Sequence, residues 1–175
     1  MRFKPAVALG LACVAVSAAC GSGGDDESSR TARTPPKVSA LGPFVGECGH
    51  VTDDEVRSTA GLPAVSAVFR NAVGCNWQSA GTDSAVVTFA SYRGSPIERE
   101  RAWVESKDRT VETVTVQGHT GFQSYGTNFG GTTCDFAIGL GDDFFEWSTF
   151  GYTVVGGEPC GSARRLAEMT LGRMR

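Results

Sequence analysis

The chain has 175 residues, with 16 Lys and Arg against 19 Asp and Glu for a net charge of −3. No basic cluster interrupts that mild acidity, which argues against nucleic acid or a surface of anionic headgroups as partners, since both demand a basic footprint. Its size and 41% apolar content suit one globular domain with a real core.

The first twenty residues carry the strongest signal. Arg2 and Lys4 precede an apolar run over 6–19, and the small residues Ser17, Ala18 and Ala19 stand just before Cys20. This pattern predicts a lipoprotein signal peptide over 1–19, with cleavage before Cys20 and a lipid on its thiol. The run is too short for the roughly 20 apolar residues that span a bilayer. Plain secretion is the alternative, because Ser17 stands where lipoprotein signals usually carry Leu or Val. Cleavage removes Arg2 and Lys4 and no acid, leaving 14 basic against 19 acidic residues. A tether over 20–43 follows, rich in Gly, Ser, Asp, Thr and Pro and too poor in apolar residues to fold. Its end-to-end distance as a flexible chain is about 26 Å. The expected location is the extracytoplasmic face of the cell membrane, with the membrane itself as a partner through the N-terminal lipid.

The domain expected over 44–175 opens with Thr52 and Glu55 spaced as a capping box, so a short helix should run to Ala60 and stop at Gly61, Leu62 and Pro63. Strands are expected over 65–70, 75–79 and 84–93, the first two around a turn at 71–74. Ser95 as N-cap, Pro96 at the first position and Glu98 three residues after the cap predict a second helix reaching about Ser106. Further strands are expected over 110–116 and 121–125, joined by a loop of Gln117, Gly118, His119 and Thr120. The segment 132–140 puts Cys134, Phe136, Ile138 and Leu140 on one face. Gly141, Asp142 and Asp143 turn the chain into a strand over 144–150, whose alternation separates Phe145 and Trp147 from Phe144 and Glu146. A helical stripe of Ala163, Leu166, Ala167, Thr170, Leu171 and Met174 closes the chain. The fold class is α+β: a curved antiparallel sheet with helices packed on one face, stapled by two disulfides.

The run Tyr92, Arg93, Gly94, Ser95, Pro96, Ile97, Glu98, Arg99, Glu100, Arg101 carries a resemblance together with Gly118, His119, Thr120, Gly121, Phe122, with Asp142, Asp143, Phe144, Phe145, Glu146, Trp147, and with the four-cysteine layout. In these the chain resembles the actinobacterial LprB/LprC-like lipoproteins of the DUF3558 family. The resemblance implies an exported, disulfide-bonded α+β lipoprotein and brings no activity or catalytic residue with it.

Cys48, Cys75, Cys134 and Cys160 lack the paired close spacing of zinc ribbons and belong to an oxidising compartment, so they read as disulfides rather than metal ligands. Four cysteines allow three pairings. Cys48 lies just before the first helix and Cys75 opens a strand of the same local unit, while Cys134 and Cys160 flank the return to the last helix. The expected bridges are therefore Cys48 to Cys75 and Cys134 to Cys160. His119 and His50 lack a neighbouring acid pattern, and no nucleophile elbow, zinc-protease helix, phosphate loop or dinucleotide fingerprint occurs in the folded region. No cofactor, metal site or catalytic residue is expected. Arg93, Trp103, His119 and Trp147 are the candidates for a ligand or partner surface, with core packing as the ordinary use of the tryptophans. The expected function is a non-catalytic binding or accessory lipoprotein of the cell envelope that contacts a protein, lipid or glycan. The alternatives are an enzyme of unrecognised type and a carrier of a small ligand or lipid.

Overall fold

In a computed structural model the described residues are 42–80, 85–128, 131–151 and 159–174. The expected signal peptide, Cys20 and the expected tether as far as residue 41 lie outside them. A 3-10 turn at Glu47–His50 leads into α1 (Asp53–Ala60). The strands β1 (Val65–Arg70), β2 (Gly74–Ser79) and β3 (Val86–Tyr92) follow, then α2 (Ile97–Glu105). A second set comprises β4 (Thr110–Val116), β5 (His119–Asn128), β6 (Gly131–Leu140) and β7 (Asp143–Gly151), before α3 (Pro159–Arg173) ends the chain. All seven strands form one open antiparallel sheet in the order β1-β2-β3-β7-β6-β5-β4. Two meanders thus meet at the central β3–β7 pair, and α2 lies in the crossover to the far edge strand β4.

Local chemistry explains the element ends. Thr52 Oγ1 accepts from Glu55 N, Glu55 Oε2 accepts from Thr52 N at 2.9 Å, and Gly61 closes α1 in the left-handed region. Ser95 does not cap α2. Pro96 is the N-cap, with extended backbone (ψ 138°) and no side-chain hydrogen bond, so the Ser95 hydroxyl sits one residue too early. His119 does not lie in a loop either. Gln117 and Gly118 both take positive φ, 49° and 84°, which is the two-residue hairpin turn whose twist suits flanking strands. His119 therefore begins β5 opposite Val116.

The main core lies on one sheet face. Trp77, Phe89, Phe136, Phe145 and Trp147 pack there with Val56 of α1 and Ala163, Leu166 and Leu171 of α3. Trp77 and Trp147 stack with centroids 5.7 Å apart, and Phe89 lies 5.0 Å from Trp147, contacts that add to the area these rings bury. The single helical layer expected from sequence holds for α1 and α3. Helix α2 packs on the opposite face, where its Val104 and Ile97 meet Phe122, Ala137 and Phe144. Strand alternation supplies both surfaces, because Phe144 and Ala137 point away from the side that carries Phe145 and Phe136. Two disulfides join Cys48 to Cys75 and Cys134 to Cys160, with Cα separations of 5.4 and 5.2 Å. The second ties the start of α3 to β6.

Candidate binding groove

From Gly42 the chain crosses one end of the sheet as an irregular strap before α1. Gly46, Cys48, Gly49 and His50 all take positive φ, a region that disfavours side chains, so surrounding contacts must hold the strap in place. The bridge to Cys75 fixes Cys48. Gly49 fits against the core: a Cβ there would stand 2.6 Å from Thr170 Oγ1 and 3.0 Å from both Phe89 and Trp147. Arg173 Nη1 donates to His50 O at 2.7 Å.

Asp143, the buried first residue of β7, organises the other side. Its Oδ2 accepts from Gly42 N at 2.8 Å and its Oδ1 from Gly94 N at 2.7 Å. Charge-assisted bonds of this kind are about twice as strong as neutral ones. One carboxylate thereby fastens the start of the strap to the segment after β3, which brings Phe44 and Arg93 to the same cavity. That cavity, of about 540 Å³, is lined by Phe44, Val73, Phe89, Ser91 and Arg93 and by the strap itself. It falls within the size range of small-molecule sites. Phe44 and Val73 are 65% and 62% exposed, so its apolar lining faces solvent. Arg93 has no carboxylate partner among the described residues, as is also true of Arg99 and Arg165, and its Nη2 donates only to Gly42 O at 3.5 Å; Arg57, Arg70, Arg101, Arg109, Arg164 and Arg173 are ion-paired.

The other sequence candidates lie elsewhere. His119 lines a separate cavity of about 410 Å³ with Ile97, Glu98 and Arg101 of α2, the turn glycines Gly118 and Gly141, and the strand glycines Gly121 and Gly139. Trp103 is 58% exposed on α2, with the Lys107 ammonium 3.9 Å above its ring. Trp147 is not on the surface at all: it is fully buried and donates from Nε1 to Thr170 Oγ1 at 3.0 Å. Sequence reasoning thus named Arg93 and missed Phe44, Val73 and Asp143. The available signal was Phe44 itself, a large apolar side chain at the end of a polar stretch of sequence.

Sequence reasoning also missed a polar cluster on the sheet face under α2. Asp135 of β6 pairs with Arg109 and accepts from Ser124 Oγ at 3.2 Å, while Arg109 Nη2 donates to Ser124 O. On β7, Glu146 Oε1 accepts from Ser148 Oγ at 2.6 Å, and its buried Oε2 has no partner. Burial, reinforced by the Asp135 charge, pushes the Glu146 carboxyl up to about 8. Burial likewise raises Tyr92 to about 12, its ring stacked on Phe144 with centroids 4.3 Å apart, and lifts Glu100 of α2 above its usual range.

Residues 14–173 match the family described as Protein of unknown function (DUF3558). The chain belongs to that family. It is 31% identical to proteins of Mycobacterium bovis and Mycobacterium tuberculosis provisionally named lipoprotein LprB, over 97% of this chain and 95% of theirs. A Mycobacterium leprae protein of the same name is 31% identical over 88% of this chain and 85% of its own. No solved structure matches.

Proposed function

We propose that this chain is a lipoprotein anchored through Cys20 on the extracytoplasmic face of the membrane, and that its folded domain is a non-catalytic binding module. Its ligand is an amphipathic molecule that carries one anionic group beside an apolar chain. The observation that carries this reading is the groove at the end of the tether, where the guanidinium of Arg93, free of any carboxylate among the described residues, shares a cavity with Phe44, Val73 and Phe89. An Arg fork matches a carboxylate or phosphate, and the exposed apolar lining would gain by covering a chain. A single guanidinium serves one bound molecule, whereas nucleic acid or a headgroup surface calls for a basic field. The lipoprotein naming of the relatives supports the anchor.

Two experiments test the two halves. Cys20→Ala should leave the chain uncleaved or release it from membranes, and a mature-sized Cys20→Ala form that still sediments with membranes contradicts the anchor. For the groove, the full chain in a non-ionic detergent is titrated with dodecyl phosphate. Arg93→Gln should weaken binding by about 10- to 100-fold, the loss of one charge-assisted pair. Equal affinity in wild type and Arg93→Gln, or no binding by wild type, would overturn the assignment.

A further inference from the structure

The contact of α2 with the sheet is small: Val104 and Ile97 against Phe122, Ala137 and Phe144, with Val111 beside them, and one exposed hydrogen bond from Arg101 Nη1 to Thr113 Oγ1 at 2.9 Å. Next to it the sheet buries carboxyls. Asp135 pairs across the ladder with Ser148, and Glu146 with Ala137, so the two acids are diagonal neighbours on one face, close enough for their charges to interact. Both residues are only 9% exposed.

Every element packed around Glu146 contributes to its charge environment. Asp135 comes from β6, Glu100 from α2, Tyr92 from β3 and Arg109 from the approach to β4. Arg109 is the one cation among them; its Nη1 and Nη2 are committed to Asp135 and Ser124 O, and its buried Nε has no partner. A charge on Glu146 would therefore share its one cation with Asp135, and Oε2 has no hydrogen-bond donor. A neutral carboxyl fits this site far better than a carboxylate, because a buried charge without a partner is costly.

We infer that α2 is a proton-controlled cover: a proton on Glu146 keeps the helix seated on the sheet, and loss of that proton lifts the helix to let water reach the carboxylate. The strands around Glu146 are fastened by backbone ladders on both sides, whereas α2 is held by side chains, so α2 is the element that gives way. The cavity beside His119 is walled on one side by Ile97, Glu98 and Arg101 of α2. Lifting the helix enlarges it. The proton thus controls access to a second cavity, independently of the groove at Arg93. The elevated titration of Glu146, near 8, puts the transition within reach of mildly alkaline conditions.

The test uses the full-length chain in non-ionic detergent and follows amide hydrogen exchange from pH 6 to 9.5, corrected for the intrinsic pH dependence. Protection over 97–105 should fall by about tenfold or more across the titration of Glu146, while β6 and β7 keep theirs. Glu146→Gln should hold protection of α2 constant over the range. A wild-type α2 that does not respond, a Glu146→Gln chain that responds as wild type does, or loss of protection in all elements together would overturn the inference. Should Glu146→Gln fail to fold, carbon-13 titration of the wild-type carboxyls decides: a Glu146 signal that titrates among ordinary carboxylates refutes the cover.

Discussion

Replacing Gly49 by Ala isolates what holds the strap in place. Two costs are separable. The backbone at Gly49 has φ +68°, and placing a Cβ there costs about 1–2 kcal/mol. The same Cβ would lie 2.6 Å from Thr170 Oγ1 and 3.0 Å from Phe89 and Trp147, side chains that are themselves buried and ringed by neighbours. Relieving that overlap costs about 1–3 kcal/mol more, for a total of about 2–5 kcal/mol. Gly94 supplies the control, since its φ is +63° and a Cβ there meets nothing within 4 Å. Gly94→Ala should therefore show the backbone cost alone. Thermal unfolding followed by circular dichroism, with the disulfides intact, would register Gly49→Ala as a fall in Tm of about 6–20 °C and Gly94→Ala as less than half of that. Equal shifts in the two variants would refute the claim that the strap is seated on the core at Gly49.

Three further outcomes are expected. Replacing Cys134 and Cys160 together by Ser removes a loop closure of separation 26 and should cost about 3–4 kcal/mol in urea unfolding on the chain-entropy account; a loss below about 1 kcal/mol contradicts it. Asp143→Ala strips the acceptors from Gly42 N and Gly94 N, so amide exchange at those two positions should rise and dodecyl phosphate binding should weaken, whereas unchanged exchange would deny Asp143 its fastening role. The hydrogen bond from Arg173, with that from the Thr52 backbone, holds the Glu55 carboxyl down at about 2. A depressed carboxyl contributes stability that is present above its unfolded value near 4.5 and lost as pH falls toward 2. Glu55→Gln should remove this acid-side loss, by a small amount because both partners are over a third exposed; an unaltered acid limb of the pH–stability curve contradicts the linkage.

Features set by neighbours in sequence were legible, and features set by distant neighbours were not. Thr52 and Glu55 announce their helix because the capping box closes within four residues. The alternation through Phe144, Phe145, Glu146 and Trp147 announces a strand covered on both faces, since the period of two is a backbone property. Which helix covers which face is decided elsewhere. Trp103 stands one position from Val104, about 100° around α2, and only the placement of Val104 against Phe122 and Phe144 turns Trp103 outward. The β3–β7 pair that joins the meanders is nonlocal, so no local pattern encodes it. The groove is less legible still. Phe44, Val73 and Arg93 meet because Asp143, read from sequence as part of an acidic turn, spends both carboxylate oxygens on backbone amides of two remote glycines.

The groove beside Arg93 is the proposed ligand site of this chain. Its most direct test is to label the full chain with nitrogen-15, titrate it with dodecyl phosphate in non-ionic detergent, and map which backbone amides shift. Shifts are expected at Phe44 to Cys48, at Asn71 to Gly74, and at Ser91 and Arg93, all abolished or displaced to much higher ligand concentration by Arg93→Gln. Shifts confined to the cavity around His119 and Gly121, or none at saturating ligand, would contradict it.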